Sequence, residues 1–303
     1  MLVTYIDHMG TDLSVVNAAK VSFGKRSEWE NGPRKFIELR GDDPLVGQYV
    51  SLIPDPEFVG KLSKQDQGLI QFLARGCTSG DWDELVEEVT YKGLFQADDD
   101  FAIHPITEEE CEVYDRELRE LLNHIRKMPS HWSPFAHTAI TLHLKMPIFV
   151  ARQIMKHTTG IEYNEISRRY VDSDPEFYVP DAWRGRSKDK KQGSDGEVDL
   201  SDIYFDTGGP SQDLKEQVEI LQSEILETYS IMVESGVAPE QARMILPQSM
   251  YTEVVMTGNL YAISNLYNQR TDSHAQKETQ DLAKQIGDIV KPLYPVSWEA
   301  LTK

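Results

Sequence analysis

Cysteine is almost missing from this chain: Cys77 and Cys111 are the only two among 303 residues. They form neither a CxxC pair nor a metal-ligand spacing, which argues against a disulfide framework or a thiolate zinc site and for a reducing cytoplasm. Long apolar runs are missing too. The longest, Met146 to Ala151, falls far short of the roughly 18 to 20 residues of a membrane span, so no membrane partner is expected. The opening MLVTYIDHMG has neither the basic start nor the apolar stretch of a secretory signal. Positive charge is scarce: 31 Lys and Arg against 50 Asp and Glu leave a formal net charge of −19. A surface of that sign repels nucleic acid, and no nucleic-acid partner is expected.

The charge is unevenly spread. Residues 76–121 hold 15 acidic against 3 basic side chains, whereas residues 151–170 are basic. Local positive charge inside an acidic protein suits a small anion better than a polymer. With 40% hydrophobic residues the chain can bury a substantial core.

Periodicity outlines the fold. Residues 2–7 alternate as a strand, and Gly10-Thr11-Asp12 precedes a helix through Val15, Val16 and Ala19. Residues 25–60 are punctuated by Gly and Pro and read as loops and short helices. Gln67 to Arg75 reads as a helix, and Glu112 to Lys127 as another, stopped by Pro129. From His137 to Met146 the alternation is clean, with Ile140, Leu142, Leu144 and Met146 on one face. Pro147 then opens a helix carrying Arg152 to His157, which Gly160 can stop through a left-handed cap. If helix resumes, Asn164, Ser167 and Arg168 share a face and Glu165 can hold Arg169. Residues 172–212 read as loop. Leu214, Val218, Leu221, Ile225 and Tyr229 define a long amphipathic helix over 212–235, a core or subunit-interface element. Pro239 starts a short helix bearing Arg243, and Asn259 to Val290 reads as helix. The whole predicts an α+β protein, a mixed β-sheet flanked by helices.

Two stretches carry chemistry. The first, Ala151 to Tyr170, crowds cations, a histidine, two carboxylates and neutral hydrogen-bonders behind an apolar strand. The second, Asn259 to Gln276, puts Asn259 and Arg270 eleven residues apart on one helix face, with His274 a turn beyond. Amides, a guanidinium and an imidazole are fixed donors and acceptors for the edge of a heterocycle. His131, His137 and His143 recur every six residues, which is no zinc pattern, and no metal is expected. Arg184, Arg186, Lys188, Lys190 and Lys191 read as a solvated loop, or as a lid over a phosphate or a glutamate tail.

The string PIFVARQIMKHTTGIEYNEISRRY resembles the signature of flavin-dependent thymidylate synthases, whose usual form is ARQxxRHRxxSxNExSxRY. Three further stretches resemble that family in order and spacing: HWSPFAH at 131–137, ARMILP at 242–247 and NLYNQRTDSHAQ at 265–276. The first strand and helix are similar as well. The departures are Lys156-His157-Thr158 in place of Arg-His-Arg, one extra residue before Asn164, and Glu162 about where serine is usual. The resemblance implies a single domain over 1–303 with insertions near 77–117 and 187–212.

It also implies an activity: methylation of dUMP to dTMP with FAD, NADPH and 5,10-methylenetetrahydrofolate, in a homotetramer whose active sites are shared between subunits. His131, Ser133, Lys156, His157, Thr158, Glu165, Asn259, Asn265 and His274 would lie at the FAD. Gln153, Lys156, Glu165, Ser167, Arg168, Arg169, Arg243 and Arg270 would hold dUMP. Arg270 would be catalytic, polarising the uracil by favouring negative charge around N3. No cysteine lies near the basic stretches, in keeping with a flavin hydride rather than a thiolate route, so Ser167 would bind substrate and need not attack it. A catalytically impaired nucleotide- or flavin-binding protein of the same fold is the alternative, motivated by Lys156 and Thr158.

Overall fold

A computed structural model describes residues 1–32, 36–43, 47–54, 60–75, 95–97, 103–105, 131–171, 174–187, 194–198, 204–205 and 212–302. In chain order, β1 (Leu2–Met9), α1 (Asp12–Lys20), β2 (Phe36–Asp43), β3 (Gly47–Pro54), α2 (Lys64–Arg75), β4 (Phe95–Ala97) and β5 (Ile103–Pro105) come first. A 3-10 turn at Ser133–His137 leads to β6 (Ala139–Pro147), α3 (Ile148–Ile154) and β7 (Ile161–Glu165). Short strands β8 (Arg184–Arg186), β9 (Ser194–Glu197), β10 (Tyr204–Phe205) and β11 (Gln212–Asp213) precede the long α4 (Leu214–Glu234). The chain closes with α5 (Pro239–Ala242), a 3-10 turn at Arg243–Ile245, β12 (Tyr251–Gly258), α6 (Leu260–Arg270), α7 (Lys277–Leu293) and α8 (Pro295–Thr302). Two compact units result: Met1–His8 with Ala139–Val290, and Met9–Thr138 with Lys291–Lys303.

The first unit is built on a four-stranded sheet of order β1-β6-β12-β7. Strand β12 pairs antiparallel with β6 from Tyr251↔Pro147 to Gly258↔Ile140, and with β7 from Val254↔Glu165 to Gly258↔Ile161. The register sets Val254 opposite Leu144 and Met256 opposite Leu142, all fully buried, so one face of the sheet is a row of apolar cross-strand pairs. Val150, Ile154, Leu260, Ile263, Leu266, Leu282 and Ile286 add the buried faces of α3, α6 and α7. Gly287 of α7 lies so close to the Tyr267 ring of α6 that a Cβ there would collide with it, so glycine lets the two helices approach.

In the second unit a capping box at Thr11 and Ser14 starts α1, whose Val15 and Val16 are buried. Buried Asp12 accepts the backbone N–H groups of Val296 and Ser297 and so caps the start of α8. Lys20 pairs with Asp66 of α2 and with Ser27.

The α+β class, the first strand and helix, β6, and the helices at 64–75 and 214–234 stand as expected. Others differ. Residues 36–54 pair as a hairpin, Phe36↔Pro54 to Asp43↔Gly47, where loops and short helices were expected. Gly41 and Gly47 lie within that ladder, so glycine there marks no loop. Helix does not resume at 164–169: β7 occupies Ile161–Glu165 and a turn follows. Glu165 therefore accepts from Thr252 Oγ1 at 2.7 Å and does not hold Arg169. The predicted helix at Glu112–Lys127 and both cysteines lie outside the described residues, as do most of the acidic stretch 77–117 and Lys188 to Lys191. Among the described residues no helix is long and apolar enough to cross a membrane, and no group of three His, Cys, Asp or Glu is placed to hold a metal ion.

Candidate active site

Pro147 turns β6 into α3: it is the N-cap, with φ −67 and ψ 151, and it has no N–H to lose. Val150, Ala151 and Ile154 are buried, while Arg152 and Gln153 lie off that face. The helix ends at Ile154, before Lys156 and His157, where His157 N turns back to Ile154 O at 3.1 Å and donors from outside the helix meet its last carbonyls. Arg270 Nη2 donates to Gln153 O at 2.9 Å, and the Tyr163 hydroxyl is shared between Ile154 O at 3.0 Å and His157 O at 2.9 Å. A guanidinium at a helix C-terminus also meets the negative end of the helix dipole.

Arg270 is the hub of this corner. It closes α6, is half-buried, and donates a second bond from Nε to His157 Nε2 at 2.9 Å. His157 must therefore be neutral with its proton on Nδ1. Burial, reinforced by the positive charge of Arg270, holds its pKa below the usual histidine value. Burial likewise lowers the pKa of Arg270 and raises that of Tyr163. Both remain in their ordinary neutral-pH forms.

Gly160 makes the next turn possible. Its φ is +74, and a Cβ would come within 2.6 Å of Asn259 Nδ2. Asn259 caps α6, its Oδ1 accepting from Ala262 N at 2.9 Å, and its backbone N–H donates to Gly160 O at 3.1 Å. So Gly160 stops no helix; it fits the backbone against this cap.

Gln153, Arg270 and His274 line one cavity of about 640 Å³, with Phe149, Tyr178 and Trp183 as aromatic walls. His274 is not on the Arg270 helix, which ends at Arg270. It lies in the following turn, exposed, with its backbone N–H and its Nδ1 both at Asp272 Oδ1. Lys156 and Thr158 are exposed beside His157, and Asn265 is half-buried on α6.

A second cavity, about 680 Å³, is lined by Glu165, Ser167, Arg168, Arg169 and Arg243, with Glu240, Thr252 and Met244. Ser167 Oγ accepts from Arg169 Nε at 3.3 Å, and Arg169 also lies over the Tyr170 ring, 5.1 Å from its centroid. Arg243 is exposed on the 3-10 turn that follows α5. Three guanidiniums around one concavity are equipment for a phosphate. Of the residues expected to hold dUMP, Gln153 and Arg270 line the first cavity and Glu165, Ser167, Arg168, Arg169 and Arg243 the second, while Lys156 lines neither. Ile148 lines the second cavity and its neighbour Phe149 the first.

His131 and Ser133 belong to the second unit and are exposed; the His131 ring stacks on Phe72, centroids 5.9 Å apart. His143 is buried in β6 with Nε2 3.0 Å from Glu253 Oε2, an internal pair of the sheet.

Several members of the first cavity had no signal in the sequence: Tyr178, Trp183, Gln222 and Glu278. Arg184, read as part of a solvated loop, donates to buried Glu278 at 2.6 Å. A short basic run looks alike whether or not one member turns inward, and only the pairing of residues 94 positions apart reveals it.

Comparison with known proteins gives the family. The profile of the family described as thymidylate synthase complementing protein matches residues 59–296, most of the chain. A flavin-dependent thymidylate synthase of Thermosipho africanus is 38% identical over 177 residues, covering 57% of this chain and 72% of that protein. One of Kosmotoga olearia is 37% identical over 170 residues, covering 56% and 70%. Among solved structures, the UMP/dUMP methylase PolB of Streptomyces cacaoi, bound with 5-Br UMP, superposes with a TM-score of 0.58. The alignment covers 99% of this chain and 93% of that one at 22% identity, a likeness of fold. The chain belongs to the flavin-dependent thymidylate synthase family.

Proposed function

We propose that this chain methylates dUMP to dTMP, with FAD as its flavin, 5,10-methylenetetrahydrofolate as one-carbon donor and NADPH as reductant. The observation that carries the reading is the Arg270 corner. A guanidinium fixed by His157 Nε2 and Gln153 O, each at 2.9 Å, opens on a cavity with aromatic walls. Methylation at C5 of a uracil needs the ring made electron-rich. A preorganised cation beside the ring stabilises the negative charge that this requires, without reorganising during the reaction.

The other roles follow from placement. Gln153 reads the ring edge beside Arg270. Arg168, Arg169 and Arg243 hold the 5′-phosphate, with Ser167 as a neutral partner. Ser167 Oγ already accepts from Arg169 Nε, which suits a binding role. The exposed run Lys156, Thr158, Thr159 carries donors and no carboxylate, which fits the anionic pyrophosphate of FAD. Bound there, the cofactor would supply the hydride that completes the methyl group. Phe149, Tyr178 and Trp183 exclude water from the reacting face.

The ring-reading and phosphate-holding groups line two cavities of one chain, and a homotetramer with shared sites reconciles them: the arginine cavity of one subunit completes the Arg270 cavity of another. Exposed apolar side chains of α4 support such contacts, Leu221 at 46% exposure and Ile231 at 54%.

The visible spectrum of the purified protein tests the reading. A yellow protein whose flavin band shifts with dUMP and bleaches with NADPH, and which forms dTMP when methylenetetrahydrofolate is added, is expected. A colourless protein that cannot be reconstituted with FAD would overturn it.

A further inference from the structure

Tyr163 is the middle residue of β7 and is paired across the strands with fully buried Met256 of β12, so its ring stands on the apolar face of the sheet. Its hydroxyl meets two carbonyls at the end of α3, Ile154 O at 3.0 Å and His157 O at 2.9 Å. Burial pushes the phenol pKa well above its ordinary value, so the group keeps its proton and stays a donor. A phenol has one proton to give. Ile154 O already accepts from His157 N at 3.1 Å. Among the described residues only the hydroxyl donates to His157 O, and that is the bond that depends on it.

His157 is thereby held at two points. Its carbonyl is tied to β7, and its ring Nε2 accepts from Arg270 Nε at 2.9 Å. Arg270 Nη2 in turn reaches Gln153 O, one residue before Ile154. The contacts close a circuit through β7, the turn after α3, α6 and the last turn of α3. Tyr163 lines neither the Arg270 cavity nor the arginine cavity, so whatever it does for a ligand it does through these neighbours. A group that must face a reacting ring needs its supporting contacts fixed as well as itself. Opening the circuit at the hydroxyl frees the turn that carries the imidazole, and a small displacement there moves the acceptor that Arg270 leans on.

We propose that Tyr163 is a positioning residue for Arg270: by holding the His157 carbonyl it sets the imidazole where it takes the guanidinium, and so fixes the charge that faces the pyrimidine. The proposal rests on the reading of Arg270 as the group that activates the ring.

The test is Tyr163→Phe, which keeps the ring opposite Met256 and removes only the hydroxyl. On the flavin-loaded enzyme, kcat for dTMP formation falls about threefold to tenfold, the loss of one neutral hydrogen bond, at an unchanged KM for dUMP and equal flavin content. In a His157→Ala background, where the imidazole that carries the effect is gone, the same change costs less than twofold. The 15N resonance of His157 Nε2 gives a readout that needs no turnover: unprotonated and hydrogen-bonded in the parent, it moves toward the value of an unbonded imidazole nitrogen in Tyr163→Phe. A kcat within twofold of the parent, an unmoved resonance, or an equal loss in the His157→Ala background overturns the positioning role. A parent enzyme that forms no dTMP would instead overturn the reading of Arg270, while the resonance still reports whether the hydroxyl holds His157.

Discussion

Truncating Arg270 separates its hydrogen bonds at the end of α3 from its proposed activation of the ring. In Arg270→Ala, Gln153 O and His157 Nε2 lose their donors. Hydrogen bonds to charged groups contribute about 1.5–3 kcal/mol each. Arg270 is half-buried, so water replaces part of each bond and a total of about 1.5–3 kcal/mol is the reasonable loss. Against a typical stability of roughly 5–15 kcal/mol, the fold survives. Removing one preorganised charge-stabilising donor costs roughly two to three orders of magnitude in turnover. The variant should therefore stay folded and yellow, while single-turnover formation of dTMP falls about 100- to 1,000-fold. Arg270→Lys should fall between, because an ammonium keeps the charge but cannot span His157 and Gln153 as the guanidinium fork does. Turnover within about threefold of the parent, at equal flavin content, would refute the activating role.

Gly160→Ala should destabilise by roughly 1–2 kcal/mol for the left-handed backbone, and further by disturbing the Asn259 cap, about 1 kcal/mol. Thermal melts would show a lower Tm, and in an Asn259→Gly background only the backbone share should remain; an unchanged Tm would refute the packing described. His157 gives an acid limb. Its folded pKa lies below the unfolded value of about 6.5, so its contribution is whole above that pH and is lost as pH falls through the folded pKa, when the protonated ring can no longer accept from Arg270. Flavin-enzyme affinity for dUMP should weaken over that range in the parent and not in His157→Asn, whose side-chain oxygen accepts at every pH; equal acid limbs would count against the contact. Cys77→Ser combined with Cys111→Ser should retain dTMP formation, and inactivation without unfolding would restore a thiolate mechanism.

What could be read from the sequence was whatever depends on near neighbours. Ile140, Leu142, Leu144 and Met146 alternate because one sheet face is apolar, and all four are fully buried. The α4 stripe shows helical spacing whether it meets a core or another subunit. Strand β12, the centre of the sheet, escaped notice although Thr252, Val254, Met256 and Gly258 point inward. Its outward Tyr251, Glu253, Val255 and Thr257 are half-buried, so Val254-Val255-Met256 blurs the alternation of a strand with one solvated face. The end of α3 was hidden for another reason. The local turn in which His157 N bonds back to Ile154 O is joined by partners that the sequence does not reveal, Tyr163 and Arg270, from 9 and 117 residues away. Asn259 and Arg270 were legible as important, but their work as a helix cap and a C-terminal donor shows only once α6 lies against the turn at Gly160.

That double employment explains why the functional stretches keep their composition. Were Arg270 needed only to charge the pyrimidine site, a flexible lysine would bring the same charge. A lysine can make one bond at a time, and leaving Gln153 O or His157 Nε2 without a donor would let α3 run on or fray. Gln153, presented from the last turn of α3, would then lose its place against Gln276, 2.6 Å away. On the proposed reading, folding of this corner and recognition of the pyrimidine depend on the same guanidinium. Substitutions at Arg270, His157 and Gln153 should accordingly be non-additive: each pair should weaken dUMP binding less than the product of the single losses, because the first change already disorders what the second would remove.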